Sequence, residues 1–485
     1  MVFDINFYHI LVLICWQSAN ILVGQFFVDI FSTPIYPIQF EHYEAHYLKN
    51  QCRNFYIHNS QELLKFNQIF LTPLGDFPDA LHCAETDDLM VKFRSLLAVG
   101  AAFGAVLSGI LADTYGRKRI GFLVILMGII SLGTAVWAKS LHTFFISRFF
   151  TGISIGGVLV VMNVWTMESV LPKQRMVVRG LCNEGVTCLL MTAICFLTST
   201  WRMAYAVSSI CLLPAFVLSL YLPESAVWLH SKQKTKRMIE SEQRISNIAG
   251  IPYEPSDRPV LSKRTMLSVI SIRDNLSKTL ILIILYALVY FSAELILPNH
   301  SDLTKVTPFV YYLLMGAFVA IGKFGLLMMD WRFEKFTRRF FHIGSTALFV
   351  SFFVGAIAWW YLTYTMNFEI YCLIGTVLVG FLQDALILST IEQIDTNLRA
   401  TIFGFFVTLA MLSGLVLKIK YNKLLKLPFF FFVSVFLAIF MGFWLFMSPF
   451  ELKETKNIQL ESAHLSGKKN ASQEETELVV SDRNV

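Results

Sequence analysis

The chain has 485 residues, 55% of them hydrophobic and only 15% charged, with 44 Phe and a mean hydropathy of +0.58. A soluble multi-domain protein needs a polar surface that this composition cannot supply, so the chain reads as an integral membrane protein. Its net charge of +6 does not argue for nucleic acid, because the basic residues cluster between apolar runs.

Apolar runs of roughly 20 residues, enough to cross a hydrocarbon core of about 30 Å as helix, recur along the sequence. Each can satisfy its own backbone polar groups. The fold class is an all-α membrane protein with 12 transmembrane helices. The spans run from about Tyr8 to Val28, Leu96 to Ala112, Ile120 to Ala138, Leu141 to Asn163, Val177 to Leu197 and Arg202 to Leu222. They continue from about Thr279 to Leu297, Thr307 to Met329, Phe340 to Leu362, Glu369 to Thr390, Ala400 to Lys418 and Leu427 to Met447. The first run holds Gln17, Asn20, Gln25 and Asp29 and lacks the basic start and small-residue cleavage site of a signal peptide, so it counts as a span.

Basic clusters "GRKR", "PKQRMVVR", "KQKTKR" and "EKFTRR" follow the even-numbered spans. They mark that side, and with it both termini, as cytoplasmic. One basic segment, Lys418 to Lys426, falls on the outside, either as lysines snorkelling from a helix end or as a basic mouth that attracts anions. The external segment from about residue 29 to 94 carries Cys52 and Cys83, in a compartment where a disulfide is chemically permitted.

A polar stretch over residues 230–278 divides the spans six and six, giving an N-terminal half (1–229), a cytoplasmic linker, a C-terminal half (279–447) and a polar tail (448–485) that reads as disordered. Two six-helix halves suit a carrier with a site between them near the membrane midplane. The halves also echo one another. "DTYGRKR" after span 2 aligns with "EKFTRR" after span 8, Glu334 taking the place of Asp113, Thr337 that of Gly116 and Arg338 that of Arg117. "ESVLPKQR" (Glu168 to Arg175) after span 4 aligns with "EQIDTNLR" (Glu392 to Arg399) after span 10.

"GILADTYGRKR" (Gly109 to Arg119) resembles the signature loop between spans 2 and 3 of the major facilitator superfamily. More narrowly, "HCAETDDLMVKFRSLLAVGAAFGAVLSG", "WTMESVLPKQR", "WRMAYAVSS", "YLPESAVWL", "STIEQIDTNLRATIFG" and "LKETKN" are similar, in order, to landmarks of the organic cation/organic anion transporter family of solute carriers. The resemblance covers about His82 to Asn457 and implies a plasma-membrane carrier of small organic ions working by alternating access. The chain departs from the family at Ala226, Val227, Thr337, Asp395 and Lys453. A span 11 charge that tends to separate the family's cation and anion carriers falls at Met411, where this chain has none.

Charged pairs at helix ends suit a gate that is made in one state and broken in the other. Asp113 is expected near a neighbouring helix N-terminus, the Gly116 turn lets helices approach, and Arg117 is expected to pair with a carboxylate such as Glu168. Arg175, Glu334, Arg338, Glu392 and Arg399 extend this cytoplasmic gate, with the latter four closing the second half and Glu224 linked to the same latch. Asn183, Glu184, Tyr290 and Glu294 are polar groups within spans and, with Met411, mark a substrate or ion site. Arg148 is expected to be structural, paired within the bundle.

No metal-ligand spacing, nucleophile constellation or phosphate loop stands out, so neither an enzyme nor a cofactor is expected. The partners implied are a lipid bilayer and a small solute, with no nucleic acid. Two other functions remain open: a carrier of neutral or sugar-like solutes, and a transporter-like sensor or scaffold that no longer transports.

Overall fold

A computed structural model describes residues 5–31, 86–198, 200–253, 282–290, 308–333, 335–363, 368–424, 454 and 456. Its membrane helices are, in chain order, α1 (Phe7–Val28), α2 (Arg94–Tyr115), α3 (Arg117–Val136), α4 (Leu141–Ser169), α5 (Pro172–Thr198), α6 (Trp201–Tyr221), α7 (residues 282–290), α8 (Phe309–Arg332), α9 (Arg338–Thr363), α10 (Ile370–Gln393) and α11 (Arg399–Leu424). Eight of these, all but α7, α9 and α11, are long and apolar enough among the described residues to cross a membrane. The expected span 12 lies outside the described residues, as do Cys52, Cys83, Glu294 and Glu334.

The helices begin and end where local chemistry directs. Asn6 caps α1 by accepting from His9 N at 3.1 Å, while His9 Nδ1 accepts from Asn6 N at 3.2 Å. Ser140 and Thr200 cap α4 and α6 in the same way. The tight corner between α2 and α3 is a single residue, Gly116, at φ 116° and ψ 151°. A side chain there would suffer the wrong backbone region and would also collide with the Glu224 carboxylate.

Two spans are less regular than their sequence suggests. The fourth continues past Asn163 to Ser169 through a π-helical segment, Val158–Met162, whose extra residue turns the last part of the helix to a new face. The fifth starts earlier than Val177 and is interrupted at Cys182, which is extended at φ −115° and ψ 93°. Asn183 Oδ1 then restarts it, accepting from Gly185 N at 2.9 Å and Val186 N at 3.2 Å. The interruption is possible at depth because α1 seals it, with Trp16 Nε1 donating to the freed Cys182 carbonyl at 3.2 Å.

Small residues set which helices meet. Within the N-terminal half, α2 and α4 approach so closely that a Cβ on Gly100, Gly152 or Gly156 would strike the opposing backbone. The halves meet along two similar seams. Gly109 and Gly404 bring α2 against α11, and Gly185 and Gly316 bring α5 against α8. At the end of the bundle holding Phe31 and Phe309, the α5/α8 seam is closed by rings: Phe31 stacks on Phe309 at 4.6 Å, and Phe196 meets Phe309 edge-on at 5.7 Å.

Overpacking the α2/α4 contact tests this account. Gly152→Val is expected to destabilise the protein by about 1–3 kcal/mol. The check is thermal unfolding of detergent-purified protein, and an unchanged melting temperature would count against it.

Candidate functional site

At the end of the bundle opposite the ring cluster, charged side chains from both halves form one buried network. Asp113, on the last turn of α2, binds Arg117 at 2.8 Å. Its other oxygen accepts from Thr401 N at 2.7 Å and Thr401 Oγ1 at 2.6 Å, at the N-terminus of α11. Arg117 also reaches Glu168 at 3.3 Å and donates to the Thr396 carbonyl at 2.7 Å. Glu168 is the hub: it accepts from Arg399 at 2.6 Å and from Ser225 Oγ at 2.6 Å, with no exposed side-chain surface.

The expected grouping needs one correction. Arg399 and Glu392 do not close the second half among themselves. Arg399 pairs across the interface with Glu168, and Arg175 pairs across it with Glu392 at 2.9 Å. The two echoed loops therefore exchange partners, which two pseudo-equivalent segments facing one another can do. Arg338 binds Asp330 at 3.0 Å, an acid outside the aligned set, while Glu334 lies outside the described residues. Arg338 also faces Glu392 at 3.7 Å, and Lys456 joins Asp330 at 3.1 Å.

Glu224 and Glu454 occupy corresponding places beyond the sixth span and beyond the apolar run expected as the twelfth. Glu224 accepts from Lys118 N at 2.9 Å at the start of α3, and Glu454 accepts from Arg338 N at 2.9 Å and Arg339 N at 3.1 Å at the start of α9. Their titration differs. Burial pushes the Glu224 carboxyl up, outweighing the Lys118 and Ser225 N–H groups that favour its ionised form. For Glu454 burial acts in the same direction, but the N–H groups of Lys456, Arg338 and Arg339 outweigh it and hold the carboxyl below its ordinary range.

About halfway along α5, α8 and α10 lies a second charged group. Arg179 and Glu184 flank the interruption in α5, while Lys323 comes from α8 and Asp384 from α10. The four form a square of alternating charge. Arg179 binds Asp384 and, at 3.1 Å, Glu184; Lys323 binds Glu184 and, at 3.0 Å, Asp384. Two sides of the square lie within a half and two cross the seam. Arg179, Lys323 and Asp384 are buried, whereas the Glu184 side chain keeps 42% of its surface open.

Of the other residues expected at a substrate site, Asn183 spends its side-chain oxygen on capping the restarted helix. Tyr290 stacks on Tyr286 at 6.4 Å within electrostatic reach of the square. Met411 is half-buried against the core. Arg148 donates to Tyr205 OH at 2.8 Å within the N-terminal half. Sequence reasoning missed Arg179, Lys323 and Asp384, although an ionisable residue inside an apolar span is itself a signal of function. Among the described residues no group of His, Cys, Asp and Glu is placed to hold a metal.

Two helical halves that meet on glycine-lined seams around a buried, mid-helix charge cluster make a membrane transporter rather than an enzyme. The chain belongs to the Major Facilitator Superfamily, whose family model matches residues 94–417. It is 26% identical to an uncharacterized protein of Caenorhabditis elegans over 85% of this chain and 86% of that one. It is 27% identical to a steroid transmembrane transporter of Oryctolagus cuniculus over 41% of this chain and 40% of that one. Its fold matches a double tryptophan mutant of the Escherichia coli xylose transporter XylE with a TM-score of 0.65 at 14% identity, covering 94% of this chain and 98% of that one.

The opposite shifts of Glu224 and Glu454 predict opposite responses to neutralisation. Above the carboxylate range Glu454→Gln removes a favoured charge and is expected to cost a few tenths to about 1 kcal/mol after solvent screening. Glu224→Gln keeps an acceptor for both N–H groups without a buried charge and is expected to be neutral or stabilising. For Glu454, whose folded value is depressed, the contribution is present at neutral pH and lost as pH falls through that value. Thermal unfolding of both variants at neutral pH checks the sign.

Proposed function

We propose that this chain carries small organic anions across the plasma membrane by alternating access, the anionic group of the solute being held by Arg179 and Lys323. The observation that carries this reading is the unequal burial around the square. A solute cation would have to displace Arg179 or Lys323 from the acids, leaving a buried cation with fewer partners, which costs several kcal/mol. A solute anion has only to displace Glu184, whose side chain is the least buried of the four. The interrupted α5 supports the same reading, since broken helices at depth provide sites for solutes. The rabbit relative, named for steroid transport, supports an organic solute.

In this reading the charged network around Glu168 is the cytoplasmic gate, an orientation supported by the basic clusters after the even-numbered spans. Asp113, Gly116, Arg117, Glu168, Arg175, Glu224, Arg338, Glu392 and Arg399 hold it closed, and Glu334 belongs to the same gate by its alignment with Asp113. The second-half motif that departs from the superfamily pattern does not argue for a transport-inactive scaffold, because Asp330, Glu454 and Lys456 supply Arg338 with a network of its own.

The charge class is testable with solutes that share one ring. In proteoliposomes, pyridine-3-sulfonate is expected to enter faster than nicotinamide (neutral) or N-methylnicotinamide (cationic), with estrone sulfate as a larger anion. Lys323→Gln is expected to slow anion entry by about tenfold or more, equivalent to about 1.4 kcal/mol. Preference for the cation would reverse the assignment, preference for xylose would favour a sugar carrier, and no uptake of any probe would favour the scaffold.

The gate has its own test. Arg399→Ala leaves Glu168 with one fewer cation in a buried position, a loss of about 3–5 kcal/mol to the closed state. Transport is expected to slow at equal surface expression, while a cysteine introduced at Ala400 becomes more reactive to a cytoplasmic thiol reagent. Unchanged uptake and unchanged reactivity would remove the gating role.

A further inference from the structure

The square of alternating charge is neutral as it stands, and a solute anion added to it would leave one negative charge in excess. Resting on the anion reading above, we infer that the carrier is a proton–anion symporter in which Glu184 takes up one proton for each anion bound. The step is balanced. The solute anion takes the place of the Glu184 carboxylate on Lys323 and Arg179, and a proton from the solution on the loading side bonds to a freed Glu184 oxygen. The loaded site then holds Arg179, Lys323, Asp384 and the solute, two positive and two negative charges. On the opposite side the anion leaves, the proton returns to solution and Glu184 docks again.

The return of the empty carrier follows from how the square divides. Arg179 and Glu184 both lie on α5, and Lys323 and Asp384 lie on α8 and α10. When the seam between the halves opens, each half keeps one complete pair, so neither carries an uncompensated buried charge. Glu184 thus acts as a tethered anion that stands in for the solute during the empty half of the cycle.

Asp384 is unsuited to the same task, because both its cationic partners enclose it and its side chain is only 1% exposed. The charged and titratable groups that face Glu184 among the described residues are Arg179 on its own helix, Lys323 on α8, Asp384 on α10 and Tyr290 on α7. From α1 comes Gln17, not titratable, which donates to Thr187 Oγ1 one turn further along α5 at 3.2 Å.

Replacing Glu184 separates this coupling from solute binding. Glu184→Gln imitates the protonated carboxyl, so the loaded carrier still forms. The empty carrier then leaves Arg179 without its partner on α5, and it can cross only with an anion bound. The full-length protein in proteoliposomes, with labelled estrone sulfate as a permanently charged probe, gives the test. For the wild type, an inward proton gradient is expected to accelerate uptake several-fold and uptake is expected to acidify the lumen, one proton per anion. For Glu184→Gln, net uptake is expected to fall at least tenfold while exchange against internal estrone sulfate persists without pH dependence. Retained exchange also shows that the variant is folded, and Glu184→Asp is expected to restore part of the net uptake.

Wild-type uptake that ignores the proton gradient, or a Glu184→Gln carrier with undiminished net uptake, would overturn the inference while leaving the anion reading intact. Loss of exchange as well as net uptake in Glu184→Gln would also overturn it, by making Glu184 a structural or direct solute group. No transport of estrone sulfate or pyridine-3-sulfonate by the wild type in either mode would overturn the anion reading itself, and the symport with it.

Discussion

A charge buried between two packed halves of a membrane protein must have an opposite charge beside it. Removing an ammonium or carboxylate from water costs several kcal/mol even after relaxation, and only a well-placed partner offsets it. In this transporter the partners lie largely on the opposite half: Arg399 on Glu168, Arg175 on Glu392, Arg179 on Asp384 and Lys323 on Glu184. Such pairs fix which faces of the two halves meet.

The glycine-lined seams make those pairs possible. With α2 against α11 and α5 against α8 nearly backbone to backbone, short side chains such as Asp113 reach a helix N-terminus on the other half. Different physics closes the two ends. One end has directional, charge-assisted hydrogen bonds. The other has stacked rings from Phe31, Phe196 and Phe309, whose attraction depends on area and little on direction.

Much of this was legible in the sequence, and the remainder was hidden for physical reasons. Apolar runs marked the spans because hydrocarbon thickness fixes their length. Gly116 marked the corner between α2 and α3 because a turn with positive φ brings the two helices so close together. The exchange of partners between the echoed loops was not legible, since an echo shows that two segments are alike without showing which faces which. Lys323 and Asp384 are single ionisable residues in otherwise apolar runs, and their partners on α5 are more than a hundred positions away in the chain. The π segment of α4 was invisible because Val158–Met162 is as apolar as any regular helical turn. Glu184 was noticed as an acid in a span, but its meaning came only from the two cations around it.

The second half shows why a motif and the work it does should be kept apart. Measured by residues, the loop after α8 has lost the glycine and the aligned aspartate of its N-terminal counterpart. Measured by electrostatics, little is missing. Asp330, one turn earlier than the aligned position, binds Arg338, and Glu454 caps α9 as Glu224 caps α3. Lys456 adds a cation that also ties down the Phe336 carbonyl at 2.8 Å. A helix N-terminus asks only for an anion within reach, and a buried arginine asks only for a carboxylate; neither specifies the position in the chain that supplies it.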